Sequence, residues 1–336
     1  MSRVFEGIPG SEEWTSIEPI AKGWSKDTKY RVETSCGEQL LVRISDIAEY
    51  PRKKLEFEAL RELEALPILM TRPVDFGTFN DGVGDADYPD GANSADDADG
   101  ADDIPCTRVF TITTWIDGVD AESVLPELSA KEQYDLGYAA GRILWQIHRI
   151  PAPPEQPDWA ERFNRKIDRN IRNYQACGIE VPGADQAIEH INSLRHLLKG
   201  RPQVFQHGDY HCGNMIVTDD RQIGIIDFNR LDYGDPWEEF NRVVWCAAVS
   251  GYFASGRING YFAGLEGHAC DHVPDVFFRL MSLYIANNML SSVPWAIQFG
   301  QGEVDTMFNQ ARNVLDWYNG FRSYIPRWYR KGSPWS

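Results

Sequence analysis

The chain lacks the features that mark membrane, secreted and nucleic-acid-binding proteins. No run approaches the length of about eighteen apolar residues that a membrane span needs, and residues 1–7 lack the apolar core of a signal peptide, so we expect a cytoplasmic location. The six cysteines form no Cys-x-x-Cys pair, which argues against a disulfide framework or a structural zinc site. Because the formal net charge is −17, a nucleic-acid partner is not expected.

Much of the negative charge lies in one segment, residues 81–103, which contains nine Asp and neither Lys nor Arg. Removing those nine charges leaves −8 for the rest of the chain. The segment is rich in Gly and Ala and has no periodicity that could bury a face, so we expect it to be a disordered insertion. It could raise the local concentration of a cationic substrate, but a solvated spacer is the interpretation that we favour.

The first part of the chain predicts an antiparallel sheet and one helix. Short β-rich runs at 30–33 and 39–44 predict a hairpin, and leucines at helical spacing predict an amphipathic helix over 51–66. A further β-rich run at 109–115 follows the acidic segment. The acidic segment is therefore most simply an insertion between two strands of one sheet.

The second part predicts mainly helices. Apolar residues recur at helical spacing in four stretches: 129–148, 160–176, 184–199 and much of 237–318. Two short β-runs, 204–206 and 224–227, interrupt this pattern. The chain of 336 residues is long enough for two lobes with separate cores, and Asp117-Gly118 marks the crossing from one lobe to the other.

The most informative stretch lies around the two short β-runs. It reads His207-Gly208-Asp209-Tyr210-His211-Cys212-Gly213-Asn214, with Asp227 thirteen residues after Asn214. Phosphoryl transfer with Mg²⁺ needs a carboxylate that receives the acceptor hydroxyl. It also needs an amide oxygen five positions on, which binds Mg²⁺, and a second carboxylate on a neighbouring strand. The spacing indicates a magnesium-dependent kinase.

Together with Gly234-Asp235-Pro236, these residues resemble the aminoglycoside phosphotransferase and choline kinase-like family, a branch of the protein-kinase fold. The resemblance covers roughly residues 20–240. It implies an α+β, bilobal, protein-kinase-like fold. Residues 1–115 would form a nucleotide-binding N-lobe of antiparallel sheet plus helix, and residues 116–336 a mainly helical C-lobe with the catalytic loop and the acceptor site.

The resemblance implies a role for each residue that matches a family motif. Asp209 would orient the acceptor hydroxyl and take up its proton, while Asn214 and Asp227 would hold Mg²⁺ against the nucleotide phosphates. Ser25 and Arg43 would contact those phosphates from the N-lobe.

One departure from the family pattern is Arg43, which stands where typical kinases have lysine. Arginine keeps the positive charge and can bind phosphate bidentately. We expect its partner to be Glu56, which shares a face of the predicted helix with Leu60. The resemblance also implies nucleotide contacts at Thr114 and Ile116.

The implied reaction is transfer of the γ-phosphoryl group of ATP or GTP to a hydroxyl of a small, cationic acceptor. An aminoglycoside antibiotic is the family's best-known acceptor, which would make antibiotic resistance the biological role, although the motifs fix neither acceptor nor oligomeric state. Two other interpretations remain: a catalytically silent, kinase-like nucleotide-binding protein, and a metal-dependent hydrolase that uses His207 and His211. For His207 we favour a bracing role, and for Asp235 that of a structural hydrogen-bond acceptor.

Overall fold

The computed structural model describes residues 5–21, 26–81, 106–264, 273–333 and 335. The chain divides into two compact units, Met1–Asp117 and Gly118–Ser336. In the part of the chain that is described, no helix has the length and apolar character that crossing a membrane requires.

The first unit is built on a five-stranded antiparallel sheet with the strand order β1-β2-β3-β5-β4. Its elements are β1 (Trp14–Pro19), β2 (Thr28–Thr34), β3 (Gln39–Asp46), α1 (Tyr50–Leu63), β4 (Pro73–Asp81) and β5 (Cys106–Thr114). The predicted hairpin is present as β2 and β3, and Gly37 adopts a φ of 82° in its turn. Strands β4 and β5, which flank the acidic segment, pair with each other as predicted. Apart from Asp81, the segment itself lies outside the described residues.

The two faces of this sheet have different partners. Alternation along β3 places Val42 in an apolar core that includes Phe5 and Trp14, so the start of the chain covers one face. On the other face Arg43 lies directly opposite Thr111 of β5, and Thr111 lies opposite Phe76 of β4. Helix α1 packs on this second face, since Phe57 stacks on Phe76 with ring centroids 5.5 Å apart.

The second unit is mainly helical, with two small antiparallel sheets ordered β10-β7 and β6-β8-β9. Its elements are β6 (Val119–Asp120), α2 (Ala121–Val124), α3 (Ala130–Ile147), α4 (Trp159–Ala176), α5 (Ala184–Leu194), β7 (Val204–Gln206), β8 (Met215–Val217), β9 (Ile223–Ile225), β10 (Asp232–Gly234), α6 (Val243–Val249), α7 (Gly251–Ala263), α8 (Asp275–Ala296) and α9 (Gln301–Trp317). The predicted α+β class, with the sheet first and the helices after it, is confirmed.

Helices α3 and α7 form a closely packed pair that holds Tyr210. A Cβ atom at Gly141 of α3 would lie 2.1 Å from the carbonyl oxygen of Arg257 on α7, so the helices approach at a distance that only glycine permits. The Tyr210 hydroxyl donates to the Ala140 carbonyl of α3 at 2.7 Å, and the Arg257 guanidinium lies 4.8 Å from the centre of the Tyr210 ring. The segment between β7 and β8 is thereby anchored to this helix pair.

Candidate active site

His207 ties the segment between β7 and β8 to the end of β9. Its Nδ1 accepts a hydrogen bond from the Asp209 backbone N–H at 3.2 Å, so the ring proton sits on Nε2, which donates to the Ile226 carbonyl at 3.0 Å. The ring is fully buried, and burial lowers the pKa of His207, which keeps it neutral. The ring therefore has the bracing role that the sequence predicts.

The three residues predicted for catalysis and metal binding come together around this brace. Asn214 Nδ2 donates to the Asp209 carbonyl at 3.0 Å, and the Asn214 carbonyl accepts from the Ile226 N–H at 3.1 Å. Because β8 and β9 run antiparallel with Met215 opposite Ile225, Asn214 just before β8 and Asp227 just after β9 lie at the same end of the pair. Asp227 has a φ of 66°, a left-handed conformation that Asp tolerates better than most residues.

Gly208 allows the chain to turn into this segment. It has a φ of 79°, and a Cβ atom there would lie 1.8 Å from the Arg230 carbonyl oxygen. Both the backbone conformation and the contact exclude a larger residue. Glycine between His207 and Asp209 is thus required for a steric reason, in addition to the chemical roles of its two neighbours.

Three nitrogen donors surround the side chain of Asp209, which is 20% exposed. Arg242 Nε lies 3.1 Å from Oδ1, His211 Nε2 lies 3.7 Å from the same oxygen, and Arg230 Nε lies 3.7 Å from Oδ2. Burial on its own raises the pKa of Asp209. The His211 ring and the two guanidinium charges more than offset this, so the pKa lies well below its ordinary value and the carboxylate is ionised.

A buried carboxylate, Glu239, braces the same segment from behind. It accepts from the backbone N–H groups of Gly208 at 3.2 Å and Tyr210 at 3.3 Å, and its side chain is 1% exposed. Burial raises its pKa, and His148, 3.9 Å away, contributes to the opposing effects that leave the pKa lowered. Sequence reasoning missed Glu239, Arg230 and Arg242.

Asp235 is confirmed as a structural hydrogen-bond acceptor. It is fully buried and accepts two hydrogen bonds from the Arg201 guanidinium, at 2.7 and 2.8 Å. The Tyr284 hydroxyl donates to it at 2.6 Å and the Trp237 backbone N–H at 3.0 Å. These contacts connect β10 to helix α8 and fix the start of the segment that carries Glu239.

In the first unit, Arg43 belongs to a cluster of charged side chains on the sheet face that α1 covers. Asp27 Oδ2 lies 3.7 Å from Arg43 NH1 and 2.7 Å from Lys53 Nζ of α1. Glu56 is 3.4 Å from Lys53 Nζ and accepts from Arg52 Nε at 2.9 Å. Lys53 thus lies between Asp27 and Glu56, and direct pairing of Arg43 with Glu56 stays a prediction.

The remaining predicted nucleotide contacts are placed as follows. Ser25 lies outside the described residues. Thr114 ends β5, and its hydroxyl accepts from the Arg72 backbone N–H at 2.8 Å, while Ile116 is 8% exposed. Their proposed contacts with nucleotide are not tested by these positions.

A transition-metal site at His207 and His211 does not fit the geometry. Both nitrogens of His207 are engaged by the backbone, and Nδ1 of His211 accepts from the Gly213 N–H at 3.1 Å. Within the described ranges, no three His, Cys, Asp or Glu side chains are grouped as a metal site. Mg²⁺ is a different case, because it is commonly held by one or two carboxylates, water and substrate phosphates.

Comparison with known proteins decides the family. Residues 16–270 match the model of the phosphotransferase enzyme family. The chain belongs to that family. No curated protein sequence matches it.

Solved structures of aminoglycoside phosphotransferases share the fold. The gentamicin complex of APH(2″)-IIa has a TM-score of 0.58 and 17% identity, with 89% of this chain and 91% of that chain covered. A thermostable mutant of APH(4)-Ia with ADP and hygromycin B has a TM-score of 0.60 and 12% identity, covering 90% and 94%. Amicoumacin kinase hAmiN with AMP-PNP and Ca²⁺ gives 0.59 and 14%, covering 94% and 90%. The bilobal, kinase-like fold of the phosphotransferase family is thus confirmed.

Proposed function

We propose that this phosphotransferase-family protein transfers the γ-phosphoryl group of ATP or GTP to a hydroxyl of a small molecule, with Mg²⁺ as cofactor. The observation that carries the proposal is that Asp209 and Asn214, on the segment tied by His207 and Glu239, meet Asp227 at the adjacent end of β9. Family membership supports the reaction class. Structures that share this fold are complexes with ADP, AMP-PNP and ATP.

Asp209 is the residue that would act on the acceptor. Because Arg242 and His211 both lie beside Oδ1, Oδ2 is the better-placed atom to accept a hydrogen bond from the acceptor hydroxyl and orient it toward the phosphoryl group. A carboxylate of low pKa is a weak base, so it would receive the proton late. That suits phosphoryl transfer, in which positioning and charge neutralisation contribute most of the catalysis.

Asn214 and Asp227 fit the binding of Mg²⁺. Because Asn214 Nδ2 is committed to the Asp209 carbonyl, Oδ1 is the atom that Asn214 can offer to a cation, and Asp227 offers a carboxylate. Bound Mg²⁺ would neutralise charge on the nucleotide phosphates. The proposed nucleotide contacts remain Arg43, Thr114, Ile116 and Ser25, with Glu56 in the same unit as Arg43.

The acceptor in this proposal is a small, hydroxylated, cationic molecule. Structures that share this fold are complexes with gentamicin, streptomycin and hygromycin B. Two guanidinium groups flank Asp209, so the ammonium groups of such an acceptor would lie away from the hydroxyl that reacts.

The test is a panel of hydroxylated amines, with neutral and anionic alcohols for comparison, each incubated with Mg²⁺ and either ATP or GTP. We expect one group of acceptors to stimulate release of nucleoside diphosphate and to gain one phosphoryl group by mass spectrometry. The variant Asp209→Asn serves as the matched control and should show neither. Stoichiometric zinc in the purified protein with nucleotide-independent hydrolysis would contradict the proposal, as would a wild-type chain that binds no nucleotide.

A further inference from the structure

We propose that Asp27, and not Glu56, is the carboxylate that positions Arg43 for the nucleotide phosphates. The inference rests on the proposed function, because it assigns a positioning residue to the nucleotide site named there. It concerns the first unit alone.

Asp27 is held at the centre of the charged cluster by contacts from two elements. Its Oδ2 lies 3.7 Å from Arg43 NH1 and 2.7 Å from Lys53 Nζ, and its Oδ1 accepts from the Ser45 hydroxyl at 2.9 Å. Arg43 and Ser45 belong to β3, whereas Lys53 belongs to α1. The side chain of Asp27 is 7% exposed, so its position is set by these contacts and not by solvent.

Glu56 is placed differently. Its contacts are with Arg52 and Lys53, both on its own helix, at 2.9 and 3.4 Å. Charges alternate from Glu56 through Lys53 to Asp27 and then to Arg43. Glu56 thus pairs with Lys53, whereas Asp27 is the carboxylate that lies 3.7 Å from the guanidinium of Arg43.

The protonation of the two carboxyl groups supports the same assignment. Burial raises the pKa of both groups. At Asp27 the contacts with Lys53, Ser45 and Arg43 reverse this effect and lower the pKa, whereas at Glu56 burial prevails and the pKa is raised. Asp27 is therefore the more firmly ionised partner.

A positioning role follows from the donor geometry of arginine. The guanidinium is a rigid plane with a fixed arrangement of N–H groups, so a carboxylate 3.7 Å from NH1 attracts the group and limits the orientations that it can take toward a phosphate. A single ionised side chain is thereby linked to the strand that bears Arg43 and to helix α1.

The experiment measures the affinity of the full-length protein for ATP, ADP and adenosine in the presence of Mg²⁺ by calorimetry. We expect Asp27→Asn to weaken ATP binding about tenfold, the lower end of the loss caused by removing a side chain that orients a metal ligand. Adenosine affinity should not change, because adenosine has no phosphate for Arg43 to contact. Asp46→Asn, an exposed carboxylate at the end of β3, is the matched control and should leave ATP affinity unchanged.

Two further variants separate positioning from a general structural role. Asp27→Glu keeps the charge and should restore much of the ATP affinity. In a double-mutant cycle, Asp27→Asn should add little to the loss caused by Arg43→Gln, since both changes remove the same oriented contact. Thermal unfolding of each variant shows whether it is folded, and the Glu variant keeps the test decisive if the Asn variant is not.

Several results would overturn the inference. Unchanged or tighter ATP binding by Asp27→Asn would mean that the carboxylate competes with the phosphates for Arg43 and does not position it. An equal loss for adenosine would indicate a structural role, and a larger, phosphate-dependent loss from Glu56→Gln would return the role to Glu56. If the wild-type chain bound neither ATP nor ADP, the proposed function would fail first, which distinguishes the two failures.

Discussion

Replacement of Glu239 by alanine should destabilise the protein strongly, because two backbone groups depend on this one side chain. The N–H groups of Gly208 and Tyr210 donate to its two carboxylate oxygens at 3.2 and 3.3 Å. Each buried donor left without an acceptor costs about 1–3 kcal/mol, so the free energy of unfolding should fall by about 2–6 kcal/mol. That is a large part of the about 5–15 kcal/mol that holds a typical protein folded.

Two companion variants sharpen this prediction. Glu239→Gln keeps one oxygen acceptor and should lose about 1–3 kcal/mol, since its amide nitrogen would face the second N–H. Glu161→Gln is the control, because this exposed carboxylate pairs with an exposed Arg165 on its own helix, a contact worth about 1 kcal/mol or less.

Urea unfolding followed by circular dichroism measures all three variants against the wild type. If Glu239→Ala unfolded within about 0.5 kcal/mol of the wild type, the bracing role of this carboxylate would be refuted. Loss of stability with unchanged turnover of a folded variant would show that the brace supports the fold and not the placement of Asp209.

Three further predictions concern other parts of the second unit. Asp227→Ala should abolish the magnesium dependence of nucleotide affinity in calorimetry, and equal affinities with and without Mg²⁺ in the wild type would contradict this. Gly208→Ala should lower the unfolding midpoint and turnover together, because its methyl group would collide with the Arg230 carbonyl; a variant as stable as the wild type would disprove the steric argument. Burial lowers the pKa of His190 to about 4, so the unfolded chain binds this proton more readily and stability should fall as pH drops from about 6.5 toward 4. His190→Gln, compared with wild type in urea at several pH values, should show a shallower fall, and identical pH profiles would exclude this contribution.

The sequence predicts those parts of the site whose residues are close along the chain. Asp209 and Asn214 are five positions apart on one turn-rich segment, and Asp227 follows a short β-run, so spacing alone indicated that they would meet. The brace by Glu239 could not be seen in this way. It depends on the buried surroundings of a carboxylate thirty positions after Asp209, in a sequence with many other acids.

The same limit applies in the first unit. Helical periodicity identified α1 and the side of it that carries Glu56, but it could not show that Lys53 of the same helix would reach Asp27 of a different segment. Strand β1 was also not predicted, because its residues Trp14–Pro19 mix polar and apolar side chains without clear alternation. The Lys53–Asp27 contact and strand β1 both depend on contacts between segments that are distant along the chain, and the local spacing of residues does not predict such contacts.

The central claim is that Asp209 is the group that receives the acceptor hydroxyl, and one variant tests it most directly. Asp209→Asn keeps the size of the side chain but removes the charge that orients the hydroxyl and takes up its proton. With an acceptor from the panel, we expect kcat to fall by about 10²-fold or more while the Kd for magnesium–ATP stays within about threefold of wild type. Near-wild-type kcat in this variant, with nucleotide binding intact, would contradict the account.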